Sequence, residues 1–162
     1  MKKWLSTLVV FLFSLTGCGL NPWQASRPQR QPFPEGEYRA LPKTGDATLA
    51  GVVMVSTPEG DVHYGNHVEV VAAPATSYSQ EAYNALSKGQ PVPSADPRAQ
   101  VYTRHAQTDR QGYFRMMYMP AGRYFVISKV QWKEAQGDRQ QIVRDAVTLK
   151  PHETTYVNLM NP

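Results

Sequence analysis

His63 and His67 stand four residues apart, the spacing at which two imidazoles on one helix face can ligate a metal ion. Here a Tyr-Gly-Asn turn separates them, and a turn does not bring the two rings together. No metal-ligand motif completes the pair, so no metal site is expected. His105 and His152 are isolated and suit solvated or hydrogen-bonded roles. Asp109 lies in the dense stretch 108–126, with Arg110, Arg115, Arg123, two glycines and a proline set among aromatics. A catalytic acid would need a second titratable group paired to it by some motif, and none is present. No serine sits in a Gly-x-Ser-x-Gly elbow, and no glycine-rich loop is built to cradle phosphate. The residues predict neither an enzyme nor a cofactor.

The one thiol is a different case. Lys2 and Lys3 precede an uncharged apolar run over 4–15, too short to span a bilayer, which needs about 20 apolar residues, and typical of a secretion signal. Leu15-Thr16-Gly17-Cys18 follows and resembles the lipobox of bacterial lipoproteins. The resemblance implies a signal peptide over 1–17, a lipid on the Cys18 thiol, and Cys18 as the acylated first residue of the mature chain. Gly19 stands where an Asp would favour the inner membrane, so the resemblance points to the outer membrane, with the protein facing the periplasm. The partner implied is the membrane, through the anchor. The two leader lysines are half of the formal net charge of +4, and the remainder is too small and scattered for nucleic acid.

Proline, Gln, Arg, Gly and Glu dominate the next segment, so residues 18–46 predict an extended tether. From residue 47 to 162 the chain changes to short β-branched and aromatic runs separated by turn residues. Strands are expected over 48–55, 67–73, 101–107, 112–118, 123–132, 139–147 and 154–159, the pattern of one all-β sandwich with seven strands. Alternation nominates Val68, Val70, Tyr124, Val126, Val130, Trp132, Val157 and Leu159 for the core. Ser77 and Gln80 have capping-box spacing, Tyr78, Ala82 and Leu86 share a helical face, and Gly89 follows as a stop. One short helix over 78–86 is therefore expected between two strands. In 108–126, Asp109 and Gly112 suit one tight turn, and Pro120 with Gly122 a second.

Asp109-x-x-Gly112-x-Phe114 followed by Pro120-Ala-Gly122-x-Tyr124 resembles the carboxypeptidase regulatory-like domains, a branch of the transthyretin-like sandwiches. Ala50-Gly51-Val52-Val53 fits their opening strand. The resemblance spans about residues 48 to 159 and implies a Greek-key sandwich serving as an accessory module, without catalysis of its own. The peptidases' His-x-x-Glu is absent. Lys43 lies upstream of the first strand, where an isopeptide-forming Lys is not expected, although Asn158 is in the last strand.

One apolar group has no place in the core. Tyr113, Met117 and Met119, with Phe125 and Ile127, alternate away from it on successive strands, and would crowd one outer patch. Either the 78–86 helix covers that patch or Tyr113, Met117, Phe125 and Ile127 dock another envelope protein. The leading reading is a non-catalytic protein-binding or scaffold lipoprotein. A component of a secretion or conjugation apparatus is one alternative, by analogy of architecture alone. Carbohydrate or peptidoglycan binding through aromatics such as Trp132 is another.

Overall fold

The computed structural model describes residues 29–161. Two four-stranded sheets pack face to face. Sheet 1 holds β1 (Ala47–Ser56), β2 (Val62–Tyr64), β5 (Tyr113–Met119) and β8 (Thr154–Leu159). Sheet 2 runs β4 (Arg104–Gln107), β3 (Glu69–Pro74), β6 (Gly122–Glu134), β7 (Gly137–Leu149). In sheet 1 the centre is β1, flanked by antiparallel β2 and β5 on one side and parallel β8 on the other. The expected all-β sandwich is present, with eight strands. The additional one, β2, is three residues long and too short to carry a readable period.

Period-2 alternation sends Leu49, Val53, Phe114, Met116, Val157 and Leu159 of sheet 1 inward against Val70, Tyr124, Val126, Val130 and Val143 of sheet 2. Each such side chain contributes roughly 1.5–3 kcal/mol through burial. Val68 and Trp132 pack at the margin of this core. Trp132 closes one end, stacked on His63 with ring centroids 5.0 Å apart and 17° between planes.

The helix inserted between β3 and β4 is α2 (Ser77–Ser87), and its cap lies one residue earlier than the sequence suggests. The Thr76 hydroxyl accepts from Ser79 N–H, and Ser79 Oγ accepts from Thr76 N–H. Thr76 wins because its hydroxyl also donates to the buried Tyr38 phenol at 3.0 Å. Two single turns, α1 (Glu35–Arg39) and α3 (Pro97–Gln100), complete a helical cap.

That cap corrects the expected tether. Within residues 29–46 three side chains pack against the inserted helical region: Tyr38 is buried beside Tyr78 and Ala99, and Phe33 and Leu41 close over them. Arg30 donates to the Tyr78 carbonyl and lies 3.9 Å above the Tyr78 ring. The prolines spaced through this segment conceal three apolar anchors that have no period of their own. The start of the segment, with Cys18 and the leader, lies outside the described residues.

Both turns of the 108–126 stretch are corners between sheets rather than hairpins. Asp109 Oδ1 accepts from Gln111 N–H and Tyr113 N–H, both at 2.9 Å, as the chain passes from β4 in sheet 2 to β5 in sheet 1. At Pro120 it crosses back, and the Tyr124 hydroxyl donates to the Pro120 carbonyl at 3.1 Å. Gly122, at φ +143°, opens β6. Gly112 has φ +81°, and a Cβ there would lie 2.5 Å from the Val53 carbonyl oxygen. Gly112→Val is therefore expected to cost about 1–3 kcal/mol through backbone strain. An unchanged denaturant midpoint would contradict that corner geometry.

Candidate functional site

The two outer faces of the sandwich differ. Over sheet 2 lies the helical cap, with Tyr83 of α2 stacked on Phe125 at 4.5 Å. Over sheet 1 lies nothing among the described residues. Seven of the eight large apolar side chains left exposed among them belong to that sheet or its margin: Val62, Tyr64, Tyr113, Met117, Tyr118, Tyr156 and Met160. The eighth, Val101, sits beside the cap.

Register explains how this face is built. Along β1 the outward residues are Thr48, Ala50, Val52 and Met54, none of them long except the last. Tyr113 is paired to Val52, Arg115 to Ala50 and Tyr64 to Met54 on one side. Tyr156 is paired to Ala50 and Asn158 to Val52 on the other. Low residues thus form a floor between two taller walls, separated by two strand spacings, or about 9–10 Å. Ala50 points outward yet keeps only 8% of its surface, between Arg115 and Tyr156 in register. The result is a shallow trough along β1, walled by tyrosines that remain 60% (Tyr113) and 79% (Tyr156) exposed.

A bulge widens one wall. Ala47 pairs with Met119 and Leu49 with Met116, so Met117 and Tyr118 together oppose Thr48. Tyr118 takes φ +58°, a conformation uncommon for a bulky side chain, and both residues of the bulge are exposed as a consequence. Strained backbone of this kind persists only where the surroundings hold it, and it concentrates at functional sites.

The charge of this face is simple. No Asp or Glu occurs in the four strands of sheet 1, and Arg115 is their only formally charged residue. It is exposed, and no ion pair among the described residues includes it.

The expected single patch is not assembled. Tyr113 and Met117 are on the bare face of sheet 1, whereas Phe125 and Ile127 are on the opposite outer face, under the cap. Neighbours in sequence, β5 and β6, are in different sheets, and the Pro120 corner divides them. Met119 points into the core and is fully buried. Phe125 and Ile127 instead line a cavity of about 370 Å³ between sheet 2 and the cap. Its polar lining is already engaged: Ser79 Oγ donates to the Pro74 carbonyl, Thr103 to the Ala99 carbonyl and Gln100 to the Ala95 carbonyl.

Trp132 is also unsuited to the role of an open platform. One face is taken by His63, and its indole N–H donates to Glu134 Oε1 at 2.8 Å. The Trp132 indole, and then Arg139, hold the Glu134 carboxyl below its ordinary range. His67 lies in a turn at φ +51°. His105 pairs with Glu69 and His152 with Asp46, each at 2.8 Å on the surface. Among the described residues no group of three or more His, Cys, Asp or Glu side chains could hold a metal ion.

Sequence reasoning missed Tyr64, Arg115 and Tyr156 as members of one surface. Tyr156 was legible as outward, since it precedes the inward Val157, but nothing local reveals that β8 pairs with β1. Fold and face together define an all-β sandwich with, among the described residues, one covered face and one open aromatic face. No family model and no curated protein matches the chain. Among solved structures it is similar to a candidate carbohydrate-binding protein from Pseudomonas aeruginosa, with TM-score 0.72 and 28% identity over 82% of this chain and 100% of that one. It also matches the minor pilin of the gram-positive pathogen Streptococcus agalactiae, with TM-score 0.39 and 17% identity over 73% of this chain and 44% of that one.

Proposed function

We propose that this protein is a non-catalytic carbohydrate-binding module, and that the bare face of sheet 1 is its glycan surface. The observation that carries the reading is the gathering of exposed tyrosines along one trough on the sheet face left open among the described residues. Sugar rings present axial C–H groups that pack on aromatic faces, and their hydroxyls suit polar side chains such as Asn158 and Thr154 at the trough wall. The similarity to a candidate carbohydrate-binding protein supports the glycan reading over the scaffold reading. Met54, Met117 and Met160 on the same face favour protein docking as the second reading, because flexible thioethers adapt to protein partners.

Depletion of the purified protein from solution by a panel of insoluble polysaccharides and cell-wall material separates the two. Retention on a glycan is the expected outcome. No retention on any of them, together with a protein crosslinked to Tyr113 or Tyr156, would transfer the face to protein docking.

The same proposal places the module at the outer membrane, anchored through Cys18. Several acyl chains at about 0.8 kcal/mol per buried methylene hold stably where one would be marginal. Cys18→Ser is expected to leave a precursor that takes up no labelled palmitate and no longer fractionates with outer membrane. Mature variant protein still partitioning there would contradict the anchoring.

A further inference from the structure

We infer that the glycan held by this face is carboxylated, a uronic-acid type of chain, and that Arg115 is its carboxylate anchor. The inference rests on the glycan reading above and adds the substrate class to it. Arg115 stands in the middle of the trough wall, opposite Ala50 in register, with Tyr156 on the far side of the same row. Tyr113 and Met117 flank it two residues away along β5, a step of roughly 7 Å. A charge at the rim of a face is common; a lone guanidinium among tyrosines, on strands without one carboxylate, is not explained by solubility.

Nor is it explained by internal structure. The arginines of the cap are engaged: Arg30 with Glu81, Arg98 with Asp96 and Glu35. Arg115 has no such partner among the described residues. Guanidinium is planar, weakly hydrated and matched to a carboxylate in a bidentate arrangement, so it gives up water for such a partner more readily than an ammonium does. A chain lying along β1 with its rings on Tyr113 and Tyr156 would bring one sugar substituent per row to Arg115. An anionic substituent there meets a complementary charge and no carboxylate on the four strands of that sheet.

The test uses the full protein and an oligogalacturonate beside its carboxyl-reduced counterpart, identical but for the charged group. The acid form is expected to bind roughly tenfold or more tightly. The preference should weaken as salt rises, vanish in Arg115→Gln and persist in part in Arg115→Lys. Arg115 is exposed, so both variants should melt with the parent. Equal affinity for the two forms, weakened alike by Tyr156→Ala, overturns the carboxylate inference while the glycan reading stands. Absence of binding by either form and by neutral glycans overturns both.

Discussion

Phe125→Ala is expected to destabilise the protein by about 3 kcal/mol, at the lower end of the range for buried Phe truncation. Phe125 is 2% exposed, paired across β6 to Ala73 of β3 and Ala146 of β7, small residues that leave its ring as the main bulk on that stretch of sheet. Tyr83 stacks on it, Arg123 lies 5.8 Å over it, and the Arg144 guanidinium sits 5.9 Å from the Tyr83 ring. Truncation therefore removes the joint between α2 and the sheet, and merges the new void with the cavity already present beside it. Chemical denaturation should show a lowered midpoint for the variant. A loss under about 1 kcal/mol would mean that the cap is held by the Tyr38–Tyr78 cluster alone.

The second large effect is on binding and leaves the fold alone. Tyr113→Ala with Tyr156→Ala removes the two walls of the trough. Both side chains are mostly exposed, so stability should stay within about 0.5 kcal/mol of the parent. A ring stacked on a ligand is commonly a hot spot of about 1–2 kcal/mol, and two of them together amount to roughly a hundredfold in affinity. Isothermal titration with a retained oligosaccharide reads this directly. A double variant that binds as the parent does would remove the tyrosine face from the site.

The strands of this fold were legible because turn chemistry punctuates them. Asp109 and Gly112, Pro120 and Gly122 mark two chain reversals, and alternation through Tyr124, Val126 and Val130 reports which side is buried. Which sheet each strand joins was not legible. The Asp109 corner and the Pro120 corner use the same residue types as a hairpin, yet each carries the chain across the sandwich, so side chains expected to be neighbours end on opposite surfaces. A period also says nothing of parallel pairing between the first and last strands, and that pairing alone brings Tyr156 across from Tyr113 and Arg115. In the segment before β1, prolines break up any apolar period, and the burial of Phe33, Tyr38 and Leu41 depends on Tyr78, Ala99 and Tyr102 far along the chain. Local composition has no access to such partners.

The trough itself follows from residue size as much as from chemistry. Thr48, Ala50 and Val52 keep the floor low, and long side chains on β5 and β8 rise beside it. The Met117–Tyr118 bulge adds width on one side at the cost of a left-handed tyrosine. On the other outer face, comparable apolar groups are spent on holding the cap. Among the described residues one sandwich thus has a structural face and an open one.

The most direct measurement is hydroxyl-radical footprinting of the protein with and without saturating oligosaccharide, because tyrosine and methionine both report. Protection of Tyr64, Tyr113, Met117 and Tyr156 is expected, with Tyr83 and Tyr102 of the cap region unchanged. Protection confined to the cap, around Tyr102 and Val101, with the sheet 1 tyrosines still fully reactive, would contradict it.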